Sequence, residues 1–347
     1  MLLASRSGTA IARDAPAPLG FPADFGAHPT ARSEWWYVTG ALDSGARTWG
    51  FQVTFFRVPT SLAGAETSRF KATQLLFAHA AVSDLARARL RHDQRIARAG
   101  FGIAEAGTAD TAVVLEGWRL SREGGGGASR YVTHAASESA GFAVDLVLAA
   151  TGPVLLQGDS GWSRKGPRPE QFSRYYSEPQ LAARGTLAID GRSFAVEGRA
   201  WLDHEWSDAY LDPMATGWDW IGMNLDDGGA LMAFRIRRAD GSTLWSGGSH
   251  RPRGGSVRSF ATGEVVFTPG RTWTSAATHT RYPVEWQVAT PVGGFGVRAL
   301  LDDQELDSRA STGTIYWEGL SLLVDAGGRR VGRGYLEMTG YAARLVL

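Results

Sequence analysis

The chain has 347 residues, with 36 Lys+Arg against 35 Asp+Glu and a net charge of +1. Its length allows two domains, and its charge balance gives no basic footprint for nucleic acid or an anionic membrane. With no cysteine, disulfides, thiolate catalysis and Cys-ligated zinc are excluded, and no run approaches the ~18 apolar residues of a transmembrane helix. Gly at 44, Phe at 15 and Trp at 13 combine many turns with many aromatics, the composition of antiparallel β structure.

Residues 1–20, rich in Ala and Pro, lack the basic start and apolar run of a signal peptide. They are expected to be disordered or processed. EWWYVTGALDSG (34–45) follows, a carboxylate before three large aromatics and a closing turn. On alternation Glu34 and Trp36 share one face and Trp35 and Tyr37 the other, so only one of the two Trp residues can line a cavity. In GFQVTFFR, Phe51, Val53 and Phe55 alternate with Gln52 and Thr54, the half-buried strand pattern. His79, in the apolar run LLFAHAAVSD, reads as a satisfied core histidine. Residues 83–106 are polar with helix formers and predict a short helix plus loop. REGGGGAS (122–129) predicts a flexible hairpin connection. GFAVDLVLAAT places Phe142, Val144, Leu146 and Leu148 on one face. GDSG (158–161) resembles the nucleophile stretch of trypsin-like proteases, but Trp162 follows where those carry Gly, and the stretch reads as a turn.

Tyr175 and Tyr176 stand together in FSRYYSEP, and WLDHEWSD (201–208) sets Asp203, His204 and Glu205 between Trp201 and Trp206. As a strand this puts Trp201, Asp203 and Glu205 on one face and Leu202, His204 and Trp206 on the other. Adjacent Asp-His-Glu is poor metal-ligand spacing, since neighbouring strand side chains diverge; with no HExxH or His-x-His motif, no metal site is predicted. GWDWIGMNL opposes Asp219 to Trp218 and Trp220, and LMAFRIRRADGS alternates Met232, Phe234 and Ile236 with Arg235 and Arg237 before an Asp-Gly turn. GFGVRALLDD alternates in the same way. An acid beside an aromatic recurs at Glu34, Asp203, Asp219, Glu318 and Glu337. Singly each reads as a hydrogen-bonded core neighbour; together they point to an aromatic-lined cavity for an elongated apolar ligand.

The chain also repeats itself. EWWYVTGALDSG…FQVTFFR matches WDWIGMNLDDGGALMAFRIRR, with Leu42-Asp43-Ser44-Gly45 aligned on Leu225-Asp226-Asp227-Gly228. In both copies a Trp-rich strand leads into an alternating strand that ends in Arg. Two copies of one β module follow, with modules at 21–208 and 209–347, and each could be a closed barrel or a sandwich.

HPTARSEWWYVTGALDSG, GFQVTFFR, LLFAHAAVSD, LLQGDSGWSRKG, FSRYYSEPQL, GRAWLDHEWSD, GWDWIGMNLDDGGALMAFRIR, DDQELD, YWEGL and GRGYLEMTGY resemble, in order, the lipocalin-like carotenoid 1,2-hydratase group, also called hydroxyneurosporene synthase-like or AttH-like. The resemblance implies an all-β fold of two tandem lipocalin-like antiparallel β-barrels. It implies a cofactor-free protein for a hydrophobic small molecule, either a hydratase adding water to an isoprenoid or polyene alkene, a cyclase, or a carrier without chemistry. Many bacterial members look secreted, so a secreted or periplasmic location is expected. Asp203 matches the hydratase proton donor, with Trp201 at the aromatic position; Arg174 and Tyr176 stand where the hydratase pattern has His and Trp. Tyr175, Tyr176, Trp201, His204, Trp206, Trp218, Asp219, Trp220, Glu34 and Trp36 are the expected substrate-binding residues.

Overall fold

The computed structural model describes residues 18–60, 71–123, 128–209 and 211–345. The expectation for residues 1–20 falls almost wholly outside them. Among the described residues there is no α-helix, only two 3₁₀ turns of three residues each. Period-2 alternation becomes strands throughout. The first sheet holds β1 (Ser33–Ser44), β2 (Arg47–Pro59), β3 (Gln74–Asp84), β4 (Arg89–Arg98), β5 (Ala104–Ala106), β6 (Ala112–Leu115), β7 (Trp118–Glu123), β8 (Arg130–Ser137), β9 (Phe142–Ala149), β10 (Leu155–Leu156), β11 (Trp162–Arg164), β12 (Phe172–Ile189) and β13 (Arg192–Ser207). Its order is β4-β3-β2-β1-β13-β12-β9-β8-β7-β6-β5, with β10 and β11 on β12. The sheet curls until β3 and β4 meet β6, which nearly closes a barrel and removes most of its open edge.

The second sheet begins after Ser207. It holds β14 (Ala215–Leu225), β15 (Ala230–Arg238), β16 (Thr243–Arg251), β17 (Arg258–Phe260) and β18 (Val266–Pro269); then, past the small pair β19 (Thr272–Thr274) and β20 (Arg281–Pro283), β21 (Glu285–Thr290), β22 (Gly293–Ala299), β23 (Glu305–Ser308), β24 (Thr314–Val324) and β25 (Arg330–Met338). The two repeated phrases are the hairpins β1–β2 and β14–β15, each central in its sheet.

Residues 83–106 depart from the predicted helix and loop. They complete β3, turn through Leu85–Arg87 with Ala88 left-handed at φ 49°, and run back as β4 paired with β3 from Asp84↔Arg89 to Leu75↔Arg98. A ten-residue ladder outweighs the small per-residue helix preference of Ala, Leu and Arg. The 122–129 connection joins β7 to β8, which pair antiparallel as a hairpin; residues 124–127 lie outside the described residues. At 158–161 the chain makes the turn expected, with Gly158, Ser160 and Gly161 at positive φ and the Gly161 amide donating to the Gln157 carbonyl.

One face of β1, β2, β3 and β13 fills the first barrel with Trp36, Val38, Phe51, Val53, Phe55, Leu76, Leu202 and Trp206. The other face is covered by the second sheet. A mixed cluster of Tyr37, Tyr175 and Trp201 with Trp220, Met232, Phe234, Leu320 and Tyr335 forms the seam. Polar bonds cross it as well: Ser83 Oγ donates to Gln304 Oε1 (2.6 Å) and Gln52 Nε2 to the Tyr316 hydroxyl (3.1 Å). Burial on both faces explains why Gln52, Thr54, His79 and Asp203 are buried although they alternate with core residues.

Candidate active site between the two sheets

Strand register brings the outward face of the first sheet into two rows. One row runs Ser177–Asp203–Tyr37–Thr54–His79–Gln94, and the next Tyr175–Glu205–Trp35–Phe56–Phe77–Ile96. Across from them the second sheet presents the row Phe234–Trp220–Glu337–Glu318. The rows do not close fully on each other. They enclose a cavity of about 380 Å³ lined by Trp35, Tyr37, Phe56, Phe77, Tyr175, Trp218, Trp220 and Phe234 together with Asp203, Glu205, Glu318 and Glu337. This size and mixture of apolar wall with few polar groups is that of a small-molecule site.

Asp203 is 3% exposed. Its Oδ1 accepts from Ser177 Oγ (2.5 Å) and Trp201 Nε1 (2.7 Å), and no cation pairs with it among the described residues. Burial pushes its carboxyl up to about 7, against the opposing bonds from Ser177, Trp201 and Tyr175 and with help from the nearby Glu205 charge. Glu337 is likewise pushed up to about 7 by burial, with the Trp218 indole opposing and the Asp203 and Glu205 charges adding to the rise. Burial and the Glu337 charge hold Glu318 well above the usual carboxylate range; its Oε1 and the facing Tyr37 hydroxyl lack a hydrogen bond of ordinary geometry. Glu205 differs. Lys165 Nζ lies 2.8 Å from its Oε1, which also accepts from Ser173 Oγ, and the ammonium sits 4.5 Å from the Phe234 ring and 4.8 Å from that of Tyr175.

Of the predicted site residues, Asp203, Tyr175, Trp218 and Trp220 line the cavity. Trp201 supports Asp203 from a neighbouring polar cleft. Trp36, Tyr176, His204 and Trp206 do not line it: alternation turns them into the first barrel, where His204 stacks on Trp36 with ring centroids 4.6 Å apart. Asp219 points into the second sheet's own core. Its Oδ2 accepts from Arg235 Nε (2.7 Å), Arg237 Nε lies 3.1 Å away, and Oδ1 accepts from the Tyr341 hydroxyl. Glu34 borders the cavity, but its carboxylate is held inside the first barrel by Arg57 Nε (2.7 Å), His28 Nδ1 (2.8 Å) and His204 Nε2 (2.9 Å). Burial would raise this carboxyl; the His204 and His28 bonds, the His204 charge and the Arg57 bond outweigh it and take it well below the usual range.

His28, Glu34 and His204 are also the group, among the described residues, whose ligand atoms lie close enough to hold a metal ion. Both imidazoles already hydrogen-bond Glu34, and the fully buried Arg57 balances its charge. An ion there would add uncompensated positive charge beside a buried guanidinium, so the group fits a hydrogen-bonded brace better than a metal centre. His79 is satisfied: Nδ1 lies 2.8 Å from the Tyr316 hydroxyl and Nε2 2.9 Å from Ser311 Oγ. Burial, then the His92 charge, pushes it down to about 3, so it is neutral.

The profile of AttH-like proteins matches residues 12–341. The chain belongs to the AttH-like family.

This AttH-like protein is 47% identical to a Nitrosomonas europaea protein assigned to AttH, whose crystal structure superposes with a TM-score of 0.86 over 94% of this chain and 98% of that one. Kievitone hydratase from Nectria haematococca shares the fold at 15% identity and a TM-score of 0.67, covering 94% of each chain. CghA, solved with Sch210972, does so at 14% identity and 0.54, covering 90% and 89%. The all-β, lipocalin-like tandem fold is thereby shown. No curated protein is significantly similar to the chain. The cavity residues that sequence reasoning missed are Trp35, Tyr37, Phe56, Phe77, Lys165 and Phe234. For all but Lys165, which lies between β11 and β12, the signal was the face opposite the core in each hairpin, which reads as solvent-facing until a second sheet covers it.

Proposed function

We propose that this AttH-like protein is a cofactor-free enzyme that binds a hydrophobic isoprenoid or polyene chain between its sheets and adds water across an isolated alkene, with Asp203 as proton donor. The observation that carries this reading is a buried carboxyl in an aromatic-lined cavity, unpaired with any cation among the described residues and pushed up to about 7. Such a group is protonated often enough near neutral pH to act, and ionises readily enough to be reloaded. Protonating an alkene carbon leaves a carbocation on the neighbouring carbon, and the faces of Trp35, Trp218 and Trp220 can stabilise it by cation–π attraction. Water then captures the cation. That the same fold includes a protein named as a hydratase is in keeping with this reading.

The test is incubation with prenylated and polyene alcohols followed by mass analysis. A hydratase gives a product heavier by one water, a cyclase a product of unchanged mass, and a carrier returns unmodified ligand. Asp203→Asn is expected to lower turnover by about 10²–10⁴-fold with the fold intact by circular dichroism. Unchanged turnover would end the assignment.

A further inference from the structure

We infer that Glu337 is the second half of the proton cycle, the base that takes a proton from the water capturing the cation; this rests on the proposed hydration at Asp203. The register Trp220↔Glu337↔Glu318 sets its side chain on the cavity face, while its neighbours Leu336 and Met338 enter the second sheet's core. The donor therefore comes from one sheet and the base from the other, with the cavity between them.

The other cavity carboxyls are less suited. Glu205 is already engaged by Lys165 and Ser173. Glu318 is 3% exposed, with an unpartnered Oε1, and burial, then the Glu337 charge, raises its carboxyl above the usual carboxylate range. Glu337 keeps part of its surface open and has no cationic partner among the described residues. The groups that face it are Asp203 and Glu205 from β13, Tyr37 from β1, Trp218 from β14, and Glu318 and Tyr316 from β24. The Asp203 charge raises the Glu337 carboxyl across the cavity, so the two resist ionising together.

The cycle balances. Asp203 gives its proton to the alkene carbon, and the alkene π pair forms the new C–H bond. A water lone pair forms the C–O bond at the cation, and that water's proton goes to Glu337. The tertiary alcohol leaves with Asp203 ionised and Glu337 protonated, and passage of the proton back to Asp203 restores the start.

The experiment uses the full chain in D₂O with geranylgeraniol as probe. Wild type should form hydrate, and Asp203→Asn should give neither hydrate nor deuterated alkene. Glu337→Gln should still place deuterium in recovered alkene at near wild-type rate while hydrate falls about 100-fold, and Glu337→Asp should restore part of it. Hydrate at the wild-type rate in Glu337→Gln, or loss of exchange in step with hydration, would overturn the assignment. If wild type leaves the probe unchanged, the hydration reading fails for it, and infrared titration of the carboxyl bands decides the pairing. Asp203→Asn should then lower the Glu337 midpoint, and an unmoved midpoint overturns the inference.

Discussion

Five acids beside aromatics separate into two environments, and an arginine decides which. Directly across the ladder from Glu34 is Arg57, and across from Asp219 is Arg235; these two acids are neutralised and structural. Asp203, Glu318 and Glu337 have no such partner among the described residues and line the cavity. Arg57 was legible as the residue that ends its phrase's second strand, whereas Arg235 stands inside β15, two residues before Arg237, and both pairings needed the register. The split has opposite consequences with pH. Asp203 moves from 3.8 and Glu337 from 4.5, each to about 7, so the folded state binds more protons than the unfolded one between those values. Their contribution is fully present below about pH 4 and is lost as pH rises through 7. Glu34, with its carboxyl lowered, contributes above its unfolded value of 4.5 and loses that contribution only in acid. The Asp203→Asn/Glu337→Gln double variant should therefore melt higher than wild type at pH 8 and no higher at pH 4. Ionising Asp203 costs the fold at most ~4 kcal/mol, and equal melting curves at pH 8 would contradict the raised carboxyls.

The repeated hairpins meet across the seam at the scale of elements. In the alignment Tyr37 matches Trp220 and Trp35 matches Trp218. Tyr37 and Trp220 touch edge to face with centroids 5.4 Å apart, and Trp35 and Trp218 line the cavity. The site is thus built from equivalent strands of two modules. Close approach depends on Gly50 in β2, where a Cβ would lie 2.7 Å from the Tyr335 hydroxyl and 2.9 Å from Leu320 Cβ. Gly50→Val should drive the sheets apart and cost about 1–3 kcal/mol, read as a lower urea midpoint; an unchanged midpoint would mean that the seam is not packed as described. The 83–106 segment shows the limit of local reading. Its Ala, Leu and Arg residues favour helix weakly, whereas pairing along all of β3 supplies a hydrogen-bonded ladder that no local window contains.

For the whole molecule, the proposed division into 21–208 and 209–347 has a measurable consequence. Residues 21–208 alone would present Trp35, Tyr37, Phe56, Phe77, Tyr175 and Trp201 to water, an apolar surface larger than single-domain proteins usually tolerate. Expressed alone, this half should aggregate or bind a hydrophobic dye, and co-expression with 209–347 should rescue it; a monomeric half that melts cooperatively without dye binding would refute the prediction. Composition excluded cysteine chemistry, and alternation, turn chemistry and the internal repeat determined by themselves a β-dominated, duplicated chain with Asp203 on a face with Trp201 and Glu205, because period-2 patterning is local. Only the tertiary structure decided that this face meets Glu318 and Glu337, that Trp35 rather than Trp36 lines the cavity, and that Glu34 and Asp219 are bound by arginines. Those outcomes depend on which sheet covers which face, and on the loss of water that leaves an unpaired carboxyl titrating near neutrality.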